Sequence, residues 1–263
     1  MTTIAAHELS LGYQRQKILH ELSLVLPEGR VSVLVGSNGC GKSTLLKALA
    51  RLLTPWQGNV ILEGYDIQQQ PTKAVARLLS LLPQHPVAPE GITVRQLVRL
   101  GRHPHQGWLA QWSEQDERKV EEALTRTELN AFAERRVETL SGGQRQRAWI
   151  AMAVAQDTPL MLLDEPTSFL DLAHQMEVLE LLASLNRESG KTIVMVLHDL
   201  NLACRYADHI VAMREGRILA QGTPHEVITR ERVKEIFHLD CQVIDDPYFH
   251  TPLCIPFARR EDA

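Results

Sequence analysis

The stretch GSNGCGKST, Gly36 to Thr44, decides the fold of this 263-residue chain. It fits the pattern GxxxxGK[ST] and lies between an apolar run, VSVLVG at 31–36, and a helical run that begins TLLKALARLL. Glycines in such a turn let backbone N–H groups surround phosphate oxygens, and the helix N-terminus adds a positive dipole. We therefore expect Lys42 to reach the terminal phosphates of a nucleotide and the Ser43 hydroxyl to ligate Mg²⁺.

Two carboxylates follow a second apolar run, LMLLDEP, in which Asp164 and Glu165 are adjacent. A magnesium ion held by one hydroxyl and by phosphates needs a carboxylate at the end of a nearby strand. Asp164 is placed to hold the ion directly or through water, and Glu165 to polarise a water for attack on the γ-phosphate. Acidic residues also end strands for solubility alone, and the phosphate loop earlier in the chain is what favours the catalytic interpretation.

Apolar runs at 31–36, 59–64, 160–165 and 192–198 predict strands. A helix is predicted by apolar residues on one face at steps of three and four: Leu172, Met176, Leu179, Leu182 and Leu185. Strands that alternate with helices favour an α/β fold with a mostly parallel sheet, which with the phosphate loop indicates a P-loop NTPase (RecA-like) core.

The sequence also predicts a division of the chain. Most of the sequence from about residue 86 to residue 158 has the spacing of apolar residues that is typical of helices. The segments HPVAPEG and RHPHQGW break this pattern. We expect an α/β nucleotide-binding core at 1–85 and 159–240 and an inserted helical lobe at 86–158. Residues 241–263 are Pro-rich and brief, and we expect a short C-terminal tail there.

Composition narrows the function. The formal charge of −4 leaves no basic excess for nucleic acid, so a nucleic-acid partner is not expected. No apolar run approaches the roughly 18 residues that a membrane-spanning helix needs, and the N-terminus has no secretion signal. The four cysteines have no CxxC spacing, which favours reduced thiols of the cytosol.

A second Gly-rich turn, LSGGQ at Leu140 to Gln144, opens another helical stretch. With the two motifs above, in this order, it resembles the signature of the nucleotide-binding subunit of ATP-binding cassette (ABC) transporters. The resemblance covers about residues 4 to 240 and implies the ABC ATPase fold, with ATP and Mg²⁺ as cofactors.

Further roles are implied by that resemblance alone. Tyr13 matches the aromatic residue that stacks on adenine, and Gln84 matches the glutamine that touches Mg²⁺ and senses the membrane partner. SFLD, ending at Asp171, resembles the loop exchanged between subunits, although Phe169 replaces the small residue of many relatives. His198 matches the histidine that contacts the γ-phosphate. Taken singly, these side chains also fit plainer roles as a surface aromatic, a solvated strand end or a buried histidine.

The complete set of expected site residues falls into three groups. The catalytic group is Glu165, His198 and Gln84. The metal-binding group is Ser43, Gln84 and Asp164. The nucleotide-binding group is Tyr13, Gly36, Ser37, Asn38, Gly39, Cys40, Gly41, Lys42, Ser43, Thr44, Ser141, Gly142, Gly143, Gln144 and Asp171.

The second turn lacks the Lys-Ser pair that binds Mg-ATP, so its role must differ from that of the first. The Ser141 hydroxyl, the N–H groups of Gly142 and Gly143 and the helix dipole form an anion site. In the family this site meets the γ-phosphate held by the other subunit, which implies a homodimer with two ATP molecules sandwiched head to tail. The resemblance also implies membrane permease subunits, a substrate-binding protein as an indirect partner, and a peripheral position at the cytoplasmic face of the cell membrane.

Within the family, EGITVRQLVRLGRHPH, the segment around LMLLDEPTSFLDLAHQ and the stretch VIDDPYFHTPL resemble ATPases for ferric siderophore, haem or vitamin B12 import, and most of all the siderophore group. His85, His103 and His105 lack a cluster of acidic or cysteine partners and are expected at a surface rather than on iron. The region from about 85 to 112, with Trp108 and Trp112, is a candidate for contact with the permease, while core packing of one tryptophan is equally compatible.

Two alternatives stay open at this point. A non-transport relative acting on DNA or ribosomes generally carries a long coiled-coil insertion or two cassettes in one chain, and neither pattern occurs in this sequence. An exporter ATPase is disfavoured only by the resemblance of those segments to importers.

Overall fold

The computed structural model describes residues 4–107 and 112–257. Its strands, in chain order, are β1 (Ile4–Tyr13), β2 (Gln16–Leu26), β3 (Val31–Gly36), β4 (Gln57–Leu62), β5 (Tyr65–Asp66), β6 (Leu79–Leu82), β7 (Leu160–Leu163), β8 (Thr192–Val196), β9 (His209–Arg214), β10 (Arg217–Gly222), β11 (Cys241–Asp245) and β12 (Pro252–Pro256).

Its α-helices are α1 (Lys42–Leu49), α2 (Thr72–Leu78), α3 (Val94–Leu100), α4 (Glu114–Arg126), α5 (Gly142–Ala155), α6 (Leu172–Ser189), α7 (Leu200–Tyr206), α8 (Pro224–Val227) and α9 (Arg230–Phe237). Short 3₁₀ turns lie at His103–His105, Asn130–Phe132 and Val137–Thr139. No helix among the residues that the structure describes is long and apolar enough to cross a membrane.

The contacts of the chain divide it into two compact units, one of residues 1–69 and 192–263 and the other of residues 70–191. The second unit therefore begins earlier and ends later than the lobe expected at 86–158. Gln156 shows why, since its Nε2 atom donates to the carbonyl oxygens of Ala76 and Leu79 at 2.7 and 3.0 Å. These bonds join the end of α5 to α2 and β6, so those elements pack with the helices.

In the first unit, β3 lies between β8 and β9 and pairs with both in parallel, while β10 pairs antiparallel to β9. All six residues of β3 are buried, as expected for a strand covered on both faces. The predicted run at 31–36 thus has the bounds of β3, whereas the run at 59–64 is displaced two residues from β4.

A separate antiparallel sheet in the same unit has the order β2-β1-β4-β5, and the sequence did not predict its first two strands. Register shifts interrupt the pairing of β1 with β2 on both sides of Leu9. Glu8 and Glu21 have φ angles of 48° and 50°, which mark the irregular positions. Because each bulge reverses the inside–outside alternation, the period-two signal of these strands is broken.

In the second unit, β6 and β7 pair in parallel, and α3, α4 and α5 pack on one another. Helix α6 begins at Leu172 and buries Leu179, Leu182 and Leu185, as the spacing predicts, but Leu172 itself is 68% exposed. The strand β7 ends at Leu163, so Asp164 and Glu165 begin the turn after it.

A buried ion pair ties the helices of the second unit together. Arg102 Nε donates to Asp116 Oδ1 at 2.9 Å, and Arg102 Nη1 donates to the carbonyl oxygen of Ala155, the last residue of α5, at 2.8 Å. Burial raises the pKa of Asp116, but hydrogen bonds from Ser113 and Arg102 outweigh it, so the pKa lies below its ordinary value. The pair therefore fixes the C-terminal end of the helix that the LSGGQ turn opens.

We predict that Asp116→Ala lowers the free energy of unfolding by about 3 kcal/mol, because it leaves the Arg102 charge buried and unpaired. Urea titration followed by circular dichroism measures the change. Since the folded pKa is depressed, the loss should be constant above about pH 4 and should shrink below it, as the wild-type carboxyl becomes protonated.

The matched control is Glu134→Ala, which removes a carboxylate that is 76% exposed and paired with Arg95. It should change stability by less than about 1 kcal/mol. Equal effects of the two variants would contradict the assigned role of Asp116.

Candidate ATP-binding and hydrolysis site

The phosphate loop begins at Gly36, the last residue of β3, which pairs with Met213 of β9. Gly36 has a φ of 148°, and a Cβ atom at this position would lie 2.2 Å from the carbonyl oxygen of Met213. Gly41, which precedes α1, has a φ of 106°, and a Cβ atom there would lie 2.7 Å from Leu19 Cδ2. Side chains are therefore excluded at both ends of the loop, and the backbone can follow the tight course that phosphate binding needs.

Lys42 lies inside this loop. Its side chain is buried, and Nζ donates to the carbonyl oxygens of Gly36 and Ser37 at 2.8 and 3.1 Å. Cys40 Sγ lies 3.9 Å from the same ammonium. Burial raises the pKa of the Cys40 thiol despite the neighbouring Lys42 charge, so Cys40 is a neutral packing residue of the loop.

The rim of the loop is open to solvent. Ser37, Asn38 and Gly39 are exposed, whereas Thr44 in the first turn of α1 is buried and Ser43 is half-buried. The backbone N–H groups of an exposed rim and of a helix N-terminus are the groups that bind phosphate oxygens. The arrangement fits the nucleotide-binding assignments made for residues 36–44.

Neighbouring strands of the first unit support the loop. Gly216, in the turn from β9 to β10, donates its N–H to the Cys40 carbonyl at 3.0 Å and accepts from the N–H of His20 on β2. Tyr13 ends β1, pairs with Gln16 at the start of β2, and is 44% exposed. Its ring is therefore accessible for stacking, as the adenine assignment requires.

His198 follows the buried end of β8 in the same unit and is exposed. The residue before it is fixed, because the N–H of Leu197 donates to the carbonyl of Leu34 on β3 at 3.3 Å. The residue after it, Asp199, is the N-cap of α7. The histidine thus lies in a three-residue connection held at both ends.

In the second unit, the Glu165 carboxylate is held by two donors. Gln84 Nε2 donates to Glu165 Oε2 at 2.6 Å, and Ser168 Oγ donates to the same oxygen at 2.8 Å. Glu165 has a φ of 52°, so its side chain leaves the turn in a direction that a regular strand would not give. The structure brings together Gln84 and Glu165, which the sequence analysis had given separate roles, and adds Ser168, which sequence reasoning did not single out.

Asp164 is buried, and its N–H donates to the carbonyl of Leu82 at 2.9 Å. A hydroxyl (Ser43), an amide oxygen (Gln84) and a carboxylate (Asp164) are hard oxygen ligands of the kind that Mg²⁺ prefers. Gln84 uses its Nε2 on Glu165, which leaves Oε1 as the atom suited to a cation. The chemistry of the residues therefore fits the expected metal.

Ser141 forms a capping box at the start of α5. Ser141 Oγ accepts from the N–H of Gln144 at 3.3 Å, and Gln144 Oε1 accepts from the N–H of Ser141 at 3.1 Å. Because Ser141 Oγ acts as an acceptor here, its O–H hydrogen is directed elsewhere and can reach an anion. Gly142 is exposed beside it, whereas Gly143 is buried.

His174 connects this turn to Asp171, and the sequence analysis missed it. Asp171 caps α6 by accepting from the N–H of His174 at 2.9 Å, and His174 Nδ1 lies 2.7 Å from the same Asp171 oxygen. A Cβ atom on Gly143 would lie 2.4 Å from His174 Cδ2, so the imidazole packs on the glycine. The spacing D-x-x-H at a helix start is the signal that could have found this contact. The hydrogen bonds from His174 lower the pKa of Asp171.

Two of the three histidines considered as iron ligands make other contacts in the structure. The His85 ring packs against Phe169, with ring centres 5.9 Å apart, and His105 Nε2 bonds the carbonyl of Gln156 at 2.7 Å. Within residues 4–107 and 112–257, no three His, Cys, Asp or Glu side chains are arranged to hold a metal ion. His103 shares the short 3₁₀ turn with His105 and is exposed.

Of the two tryptophans expected near a permease, Trp108 lies outside the described residues. Trp112 is half-buried, with Nε1 donating to Glu117 Oε2 at 2.6 Å and the Arg99 guanidinium 4.0 Å from the ring centre. Trp112 therefore packs within the helical unit. Val87, by contrast, is 88% exposed.

Comparison with known proteins agrees with this geometry. Residues 19–168 match the family model described as ABC transporter. The chain is 64% identical over 261 residues to the achromobactin transport ATP-binding protein CbrD of Dickeya dadantii, covering 99% of this chain and 97% of that protein. It is 50% identical to the ferric enterobactin transport ATP-binding protein FepC of Escherichia coli, covering 97% and 94%.

A solved structure shares the fold. The dimeric post-hydrolysis state of the ATP-binding cassette MJ0796, bound to ADP and phosphate, superimposes with a TM-score of 0.74 at 29% identity, covering 84% of this chain and 98% of that one. The predicted P-loop NTPase fold with its helical lobe is thereby confirmed. The matched residues 19–168 include the phosphate loop, the carboxylates after β7 and the LSGGQ turn, and this chain belongs to the ABC transporter family.

Proposed function

We propose that this chain is the energy-coupling ATPase subunit of an importer for ferric siderophores. Hydrolysis of ATP to ADP and phosphate follows from the family. The siderophore assignment is supported by identities of 64% and 50%, over nearly the whole chain, to ATP-binding proteins named for achromobactin and ferric enterobactin transport. The structural observation that carries the hydrolytic role is the Glu165 carboxylate, held by Gln84 and Ser168 next to the buried Asp164.

The roles within the site follow from the chemistry of its side chains. Lys42 exchanges its bonds to loop carbonyls for bonds to phosphate oxygens, and Tyr13 stacks on adenine. Glu165 orients and deprotonates the attacking water, and His198 steadies the γ-phosphate. Ser43, Asp164 and the Gln84 amide oxygen are the residues that would hold Mg²⁺, which would neutralise charge on the phosphates.

The two hydrogen bonds on Glu165 Oε2 hold the carboxylate in one orientation before ATP arrives. Gln84 both contacts Glu165 and is expected to respond to the membrane partner. A shift of Gln84 therefore changes the orientation of the base, and this links transport to hydrolysis.

A single chain supplies only part of the phosphate environment. We assign Ser141, Gly142 and Gly143 to the γ-phosphate bound by a second copy, in a homodimer that closes on two ATP molecules. Closure drives separate permease subunits, which receive ferric siderophore from a binding protein, and hydrolysis reopens the dimer. The working position is the cytoplasmic face of the cell membrane.

Glu165→Gln should lower kcat for ATP hydrolysis by about 10² to 10⁴, the usual contribution of a general base. The amide still accepts and donates hydrogen bonds, so ATP binding should persist. Phosphate release measures turnover, and a fluorescent ATP analogue measures binding. Glu188→Gln, at a glutamate that is 62% exposed on α6, is the control and should behave as wild type. Wild-type turnover in Glu165→Gln would refute the assigned role.

Ser141→Arg should leave ATP binding by the isolated subunit intact and abolish ATP-dependent dimer formation. The reason is that the arginine side chain at position 141 would fill the second anion site in place of the γ-phosphate. The measurement is size-exclusion chromatography with ATP, in a Glu165→Gln background that prevents hydrolysis. Ser189→Arg, at the last residue of α6, serves as the control. A dimer that forms equally in both variants would overturn the sandwich arrangement.

Cells in which the only gene for this protein carries Lys42→Ala should fail to accumulate radiolabelled iron supplied as ferric achromobactin, because the phosphate loop loses the cation that binds phosphate. Ferric enterobactin is the second substrate to test. Cells carrying the Glu188→Gln control should take up the label normally. Unchanged uptake with Lys42→Ala, for both siderophores, would show that the chain energises another transport system.

A further inference from the structure

The residues after position 240 form an ordered hairpin. Strands β11 and β12 pair from Cys241 with Pro256 to Asp245 with Pro252. Asp246 closes the turn, because its Oδ1 accepts from the N–H groups of Tyr248 and Phe249 at 2.9 and 3.2 Å. The segment expected as a short tail is therefore a defined element of the first unit.

The hairpin is hydrogen-bonded to the first turn of α7 through Asn201. Asn201 Nδ2 donates to the carbonyl oxygen of Cys254 at 3.1 Å, and Asn201 Oδ1 accepts from the N–H of Cys254 at 2.8 Å. The side-chain amide thus pairs with both backbone groups of one β12 residue, as a neighbouring strand would. Loss of the Asn201 side chain would leave both groups without these partners.

A second contact lies one helical turn further along α7. Arg205 Nη2 donates to Asp246 Oδ2 at 3.0 Å, and the Arg205 guanidinium carbon lies 4.0 Å from the centre of the Phe249 ring. The Asp246 side chain is only 7% exposed. Residues four apart share one face of a helix, so Asn201 and Arg205 bind the hairpin side by side.

Cys204 lies on the same helix and is fully buried. Burial raises the pKa of its thiol to about 12, and the nearby Cys254 adds to the effect. The hairpin therefore covers α7 with both polar bonds and packed side chains. A seven-residue helix is too short to be stable alone and takes its position from such contacts.

The start of α7 is joined directly to His198. Asp199 caps the helix by accepting from the N–H groups of Asn201 and Leu202 at 2.8 and 2.9 Å. On the other side, the bond from Leu197 to the β3 backbone holds the end of β8. Only His198 lies between these two anchors, so a displacement of α7 is passed to the histidine.

From this geometry we infer that the C-terminal hairpin positions His198 for catalysis. Asn201 is the positioning residue, because its bonds to β12 fix the start of α7 and thereby the position of His198. The inference rests on the proposed contact of His198 with the γ-phosphate. A histidine displaced by about 1 Å can lose most of its contribution, since misplacement on this scale costs as much as 10² in rate.

The test is a double-mutant cycle on steady-state ATP hydrolysis by the full-length protein. Asn201→Ala should lower kcat by about tenfold, within the range expected for misplacement, and leave the affinity for ADP unchanged, since ADP has no γ-phosphate. His198→Ala should lower kcat at least as much. The double variant should be no slower than His198→Ala, because Asn201 acts only through the histidine.

Ser23→Ala is the matched control for lost stability. Ser23 Oγ accepts from the N–H of Glu8 at 2.9 Å, a side-chain-to-backbone bond in the antiparallel sheet of the same unit. It should lower the melting temperature without lowering kcat. Asp246→Asn, which weakens the second contact but keeps the turn acceptor, should lower kcat less than Asn201→Ala, and it replaces that variant if Asn201→Ala does not fold.

The outcomes separate the inference from the proposed function. If His198→Ala hydrolyses ATP at the wild-type rate, the proposed role of His198 is wrong. If His198→Ala is slow and Asn201→Ala is not, or if the two losses multiply in the double variant, the hairpin does not act through His198. A fall in ADP affinity that matches the fall in kcat would likewise show a general structural effect.

Discussion

The close approach of β3 to β9 at Gly36 is the constraint on which the nucleotide site depends. The carbonyl oxygen of Met213 occupies the place where any side chain on Gly36 would lie, so the chain leaves the sheet there in a conformation reserved for glycine. The Lys42 ammonium then lies inside the loop, where it donates to the carbonyl oxygens of Gly36 and Ser37. The site is built from backbone geometry first, and its charged groups are placed by that geometry.

The residues that the sequence predicted best are those whose chemistry is local. The phosphate loop needs only its glycines, its lysine and the flanking strand and helix, all of which are contiguous. Glu165 follows a buried strand, and Ser141 begins a helix with a glutamine at the position that completes a capping box. Each of these features has a mechanism that acts over a few residues, so a single sequence is sufficient to find it.

What the sequence did not predict depends on contacts between distant residues. Bulges at Glu8 and Glu21 hide the alternation of β1 and β2. His174 packs on Gly143 only because the fold brings α6 to the start of α5. The hairpin after residue 240 resembles a Pro-rich tail, since its strands are short and its stability comes from Asn201 and Arg205, far away in sequence.

The hairpin also has a consequence for the biosynthesis of the enzyme. None of the described cysteines, including the buried Cys241 and Cys254, is in a disulfide, so the hairpin closes reversibly through packing and hydrogen bonds. A two-stranded hairpin is only marginally stable by itself, and an isolated helix of one to two turns is less stable still. Each therefore folds only against the other. Because β11 and β12 follow all the other strands in the chain, α7 cannot gain its contacts with the hairpin until residues 241–256 have been synthesised.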